Sequence, residues 1–283
     1  MYQITFIFLF ISTILFSREH ALVSIAPVKT FVEAIAGDKL TVEVMVKAGS
    51  SPHTYEPKPS QMLLVSKASL YFAIGVEFEH LWLPKFRDIN PKLQVIDLAK
   101  GIEKIAMSVG HEEREHQHDA HLDPHIWTDP GNVSIIAKSI YQRLITLDPS
   151  HQAYYQKNLK RFLGLIQKTH QAIETQLSTL GESRSFMVFH PSWGYFARAY
   201  HLKQIAVEVE GKSPKPKALI SLIKEARASK VRAIFTQPEF SDKAAQIIAQ
   251  ELAIPVRKVT PLASDWAENL SRIAQAIATK QKR

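Results

Sequence analysis

Three histidines lie in three loops rich in proline and aromatic residues: His53 in AGSSPHTYEPKPS, His125 in HLDPHIWTDP and His190 in MVFHPSWGYF. Neutral imidazole is a good zinc ligand, and a set of three leaves one coordination position open. Such a set could hold a cargo ion. With water in the open position it could also be a hydrolytic centre, because zinc lowers the pKa of bound water. Against hydrolysis, the chain has no HExxH motif and no evident general base tied to these loops. Spacing alone does not bring the three loops together, since each is far from the others in sequence.

The elements that must position these loops read as alternating strands and helices. Leu22–Ala26 is a short apolar run, Pro27–Ala36 is helix-like and ends at Gly37, and Leu40–Val46 alternates with β-branched residues. Ser60–Lys67 reads as a helix, and Leu70–Ile74 and Val95–Leu98 as strands. Asp129-Pro130 caps a helix running to about Leu147. From Ser150 to Leu180 there is no proline, one glycine and a helical apolar rhythm through Tyr155, Leu159, Phe162, Ile166, Ile173 and Leu177. A second series follows, with strands at Ser185–Phe189, Gln204–Val209, Val231–Phe235 and Val256–Val259. Its helices are Lys217–Ala228, Ser241–Leu252 and Ser264–Ala278. The pattern predicts an α/β protein of two lobes, each a mostly parallel sheet flanked by helices, joined by one long backbone helix. The expected division is a leader over 1–20, a first lobe over 21–149, the linking helix over 150–181 and a second lobe over 182–283. In open α/β sheets ligands bind beyond the carboxyl ends of strands. His53 and His190 both follow strands, so a cleft between the lobes is the place where the three could meet.

The first 16 residues are almost wholly apolar and are followed by the polar SREHA. This reads as a secretory signal peptide cut after Ser17 or Ala21, although no Lys or Arg precedes the apolar core. The 283 residues contain no cysteine, which excludes disulfides, thiolate ligands and a lipid carried on an N-terminal cysteine. An exported, unanchored binding protein fits a periplasm. The formal net charge is +8, but Lys and Arg are scattered among acidic residues with no aromatic-interleaved stripe, so nucleic acid is not an expected partner. Residues 110–121 form a separate polar loop holding His111, His116, His118 and His121 among acidic residues. Weak collection of zinc is expected there.

The motifs around the three histidines, together with PLASDWAENL near the C-terminus, resemble the ZnuA group of solute-binding proteins of metal ABC transporters, within the TroA-like cluster. The resemblance spans the chain beyond the leader. It implies a two-lobed fold, with Zn2+ held in the cleft by His53, His125 and His190. It also implies a monomer that acts as no enzyme and hands its ion to a membrane permease. Manganese binders of the cluster generally place a carboxylate where this chain has His190, and imidazole suits zinc better than manganese, so zinc is the expected ion and Mn2+ the alternative. Many relatives have Asp where this chain has Thr260. A threonine hydroxyl is a poor zinc ligand, which leaves the fourth position to water or to Glu208, Glu210 or Glu239. Asp123 or Asp129 is expected to orient the His125 ring.

Overall fold

The computed structural model describes residues 19–107, 122–208 and 212–279. The first sheet contains β1 (Glu19–Val23), β2 (Leu40–Val44), β3 (Leu70–Ala73) and β4 (Gln94–Asp97), all parallel, in the order β2-β1-β3-β4. The second contains β5 (Ser185–Val188), β6 (Lys203–Ala206), β7 (Ile234–Thr236) and β8 (Val256–Lys258), again parallel, in the order β6-β5-β7-β8. The two halves therefore repeat one strand order. In each, the order reverses beside the first strand, which opens a crevice at the carboxyl ends. The fold class expected from the pattern is the one observed. β1 takes in Glu19 and His20, two residues that the expected leader over 1–20 had claimed, and pairs them with Leu40 and Thr41. The remainder of that segment and the whole loop 110–121 lie outside the described residues.

The helices of the first half are α1 (Ala26–Ala36), α2 (Pro59–Lys67), α3 (Glu77–Ile89) and α4 (Pro130–Leu147). Proline opens several of them, where its fixed φ suits the first turn and its missing N–H is not needed. Asp129 caps α4 by accepting from the Gly131 N–H at 2.7 Å. Gly37 ends α1 with φ +58°, a conformation that favours glycine, and the Tyr154 ring leaves no room there for a side chain. The pattern had not marked α3, which contains Pro84 and packs Phe78, Trp82 and Phe86 against one another.

α5 (Gln152–Leu177) is the long helix, 26 residues and about 39 Å at 1.5 Å per residue. It is shorter than the stretch expected because Pro149–His151 forms a separate 3-10 turn and the helix ends at Leu177. It passes through Gly164 without a break. Its buried stripe, Tyr155, Asn158, Phe162, Ile166, Thr169, Ile173 and Leu177, recurs every three or four residues.

The second half adds α6 (Gly194–Ala199), α7 (Pro216–Ala228), α8 (Lys243–Leu252) and α9 (Trp266–Ala278). A hydrophobic core runs without interruption from Phe31 on α1 through Phe162 on α5 and Trp266 on α9 into Phe186 and Phe235 of the second sheet. A smaller cluster, including Met187, Ile234 and Ile248, fills the space between that sheet and α7 and α8. α9 crosses back to the first half: Trp266 meets Phe31 edge-on at 5.5 Å, and Thr30 Oγ1 donates to the Ser264 carbonyl at 2.8 Å. Two indoles tie the halves beneath the cleft. Trp127 Nε1 donates to the Pro261 carbonyl and Trp266 Nε1 to the Trp127 carbonyl, each at 2.7 Å.

Candidate metal centre

The fold brings His53, His125 and His190 to one place. One ring nitrogen from each lies within 4.8 Å of the others. His53 Nε2 and His190 Nε2 are 3.2 Å apart. The cleft that holds them is also lined by Glu77, Trp127, Glu239 and Phe240.

His53 sits in a turn beyond β2, where the Thr54 N–H donates to the Ser51 carbonyl. Gln61, buried on α2, braces this loop. Its amide accepts from Tyr55 Oη at 2.8 Å and from the Lys58 N–H at 3.0 Å, and donates to the Met45 carbonyl at 2.6 Å. His125 precedes the 3-10 turn Ile126–Thr128 and is buried. His190 directly follows Phe189, whose N–H donates to the Phe235 carbonyl just beyond β5. Gln237 clamps it by accepting from the His190 N–H at 3.1 Å and donating to the His190 carbonyl at 2.8 Å. Phe240 stacks on the His190 ring at 5.0 Å.

Each ring has a carboxylate at Nδ1. Asp123 Oδ1 lies 2.7 Å from His125 Nδ1, Glu208 Oε1 lies 2.8 Å from His190 Nδ1, and Glu77 Oε2 lies 3.2 Å from His53 Nδ1. For His125 and His190 the hydrogen-bonded carboxylate places the ring proton on Nδ1 and leaves the Nε2 lone pair free, whereas Glu77 meets His53 as an ion-pair contact whose charge favours the proton on the same nitrogen. Three such lone pairs converging on one centre repel one another, and a cation between them removes that cost. Electrostatics separates the rings. For His53, burial disfavours the charged form, but Glu77 and Glu208 together outweigh it and the pKa is raised. For His190, burial prevails over Glu208 and the pKa is lowered. Burial also works against the Glu77 carboxylate, yet His53 beside it brings its pKa down to about 2.

Of the two carboxylates expected to orient His125, Asp123 does so, whereas Asp129 is occupied as the α4 cap. Glu208, a candidate fourth ligand, holds His190 Nδ1 through Oε1. Glu210 lies outside the described residues. The Thr260 hydroxyl accepts from the Leu262 N–H and donates to Glu239 Oε1, both at 3.1 Å. Sequence reasoning missed Glu77, Gln61 and Gln237. Only the acidic run at the start of α3 could have flagged Glu77.

A family model described as zinc-uptake complex component A, periplasmic (ZnuA), matches residues 22–280. The chain belongs to the ZnuA family. A crystal structure of a ZnuA is 39% identical and superposes with a TM-score of 0.84 over 93% of this chain and 98% of that one. A zinc-bound ZnuA deletion mutant is 40% identical, with the same TM-score, over 93% of this chain and 97% of that one. The cadmium-bound periplasmic metal-binding protein of Candidatus Liberibacter asiaticus, 21% identical over 92% of this chain and 98% of that one, shares the fold at a TM-score of 0.79. Among curated relatives, the manganese ABC transporter substrate-binding lipoprotein PsaA of Streptococcus anginosus is 28% identical over 78% of this chain and 73% of its own. The chain is thus a ZnuA-type solute-binding protein of a metal ABC transporter, a family that binds metal ions outside the cytoplasm and delivers them to a membrane permease. The family is not one of enzymes. Because relatives such as PsaA are named lipoproteins, they lend no support to the expectation of an unanchored chain.

Proposed function

We propose that this ZnuA-family protein captures Zn2+ in the cleft with His53, His125 and His190 and delivers it to its permease. The observation that carries this reading is the trio of imidazoles, each with a carboxylate at Nδ1 and a ring nitrogen turned toward the other two. A donor set of three nitrogens favours zinc, whereas manganese prefers carboxylate oxygen. The fourth position falls to water or to a carboxylate of the cleft, since the Thr260 hydroxyl is engaged on both sides and Glu77 and Asp123 each serve a ring. Glu239 is the carboxylate of the cleft wall that serves no imidazole.

The test is calorimetric titration of the chain with zinc and with manganese against a competing chelator. One tight zinc site with weak manganese binding is expected. Alanine at His53, His125 or His190 should each cost more than about a hundredfold in zinc affinity, above the loss usual for residues that only orient ligands. His190→Glu should move preference toward manganese. Tight manganese with weak zinc in the unmodified chain would end the zinc reading.

A further inference from the structure

We infer that Gly194 is a positioning residue of the metal centre: its missing side chain lets the first turn of α6 seat Asp123, and Asp123 in that seat holds His125. The inference rests on the reading of His125 as a ligand. A Cβ at position 194 would stand 2.5 Å from Asp123 Oδ2 and 3.3 Å from Ile105 Cδ1. Gly194 does not have the positive φ of Gly37, Gly49, Gly75 and Gly101. It opens a helix, where alanine is the better residue by propensity. Space beside Asp123, not backbone conformation, is what calls for glycine.

Asp123 has nowhere to retreat. It is fully buried. Its N–H donates to the Ile105 carbonyl at 2.8 Å, and its carbonyl accepts from Tyr195 Oη at 3.0 Å. Tyr195 Oη in turn accepts from the Ile105 N–H at 3.2 Å. Gly194 and Tyr195 thus hold Asp123 at two points, one on the carboxylate and one on the main chain. A single oxygen, Oδ1, takes both the His125 N–H at 2.8 Å and His125 Nδ1 at 2.7 Å, so displacement of the carboxylate loosens both. Among the described residues Oδ2, which faces Gly194, has no hydrogen-bond partner, so its place is set by packing against Gly194 and by the charge of Lys104. Four residues upstream on the same segment is His190. The second lobe therefore supplies one imidazole and the seat for the residue that orients another.

The test uses the full chain with Gly194→Ala, Asp123→Ala and the double substitution. Zinc affinity is measured by competition calorimetry, and the histidine ring nitrogens of the metal-free chain are read by 15N NMR. Gly194→Ala should lower zinc affinity about 10- to 100-fold and change the Nδ1 signal of His125 while leaving that of His190 in place. In the Asp123→Ala background it should cost nothing further, because the group it displaces is gone. Unchanged affinity and an unchanged His125 signal in Gly194→Ala would overturn the inference, as would an equal loss in both backgrounds. If Gly194→Ala does not fold, the double variant must, since it vacates the space; failure of both would also overturn it. Should alanine at each histidine leave zinc binding intact, the zinc reading falls, while the NMR of the metal-free chain still decides the seat.

Discussion

His53 is the imidazole of the three with the most water around it and the one whose pKa is raised. A metal takes the neutral ring, so protons compete for His53 up to a higher pH than they do for His190, whose pKa burial lowers. As pH falls through the raised value, His53 is charged first and the ion loses that ligand. Glu77 is the main cause. Glu77→Gln removes the negative charge, and the His53 ring titration, followed by NMR in the metal-free chain, should move to lower pH. A titration that stayed in place or moved up would assign the shift to something else. Much of this residue-scale picture was legible in advance. The three histidines stood out because proline and aromatic residues crowd their loops. Asp123 and Asp129 were both plausible partners for His125, being close on either side of it in sequence, and the Asp123 contact and the α4 cap separate them. Glu208 was noticed as an acid, but its contact with the His190 ring was not foreseen. Gln237 and Glu77 act through partners on other elements, so spacing in the chain does not mark their roles, and Gln61 sits at the third position of α2, where its bond to the Lys58 N–H is a local cap.

Elements were legible where periodicity had room to show. α5 has seven buried positions over its 26 residues, so its face could be read directly. α6 is six residues long, too short for a helical period to declare itself, and Pro84 disguises α3. The edges moved by a few residues for local reasons, as when Pro149 formed its own turn before α5. Gly164 is the weak point of the long helix. A methyl group there would meet nothing within 4 Å, so Gly164→Ala recovers helix propensity without a clash. The gain should be about 1 kcal/mol, read as a rise in Tm of about 2 °C, with zinc affinity unchanged. A fall in Tm would show that the helix needs the glycine.

At the scale of the molecule, the two halves share one core and are tied by the paired indoles of Trp127 and Trp266. The Trp127 ring also lies 5.3 Å from the His125 ring, so the tie and the centre are neighbours. Trp266→Phe keeps an aromatic ring near Phe31 but leaves the buried Trp127 carbonyl without its donor. The loss should be about 1–3 kcal/mol in urea unfolding, with one zinc still bound per chain. A loss below about 0.5 kcal/mol would fall under the usual cost of an unsatisfied buried group and would mean that the bond does not hold the halves. The two-lobed plan was legible because each half alternates strand and helix on either side of one long proline-free stretch. The return of α9 to the first half was not, since its apolar face fits either lobe equally well.

That return has a consequence for how the chain is made. Thr30 and Ser264 are 234 residues apart, and Trp266 covers Phe31. A chain emerging N-terminus first, from a ribosome or through a translocation pore, gains Phe162 of α5 against Phe31 midway but leaves the edge that Trp266 covers open until its last helix is out. That edge of the first lobe must wait for the end of the sequence. Such late-closing surfaces are where unfinished chains aggregate, so the newborn protein is a natural client for a holding chaperone, however stable the finished one becomes.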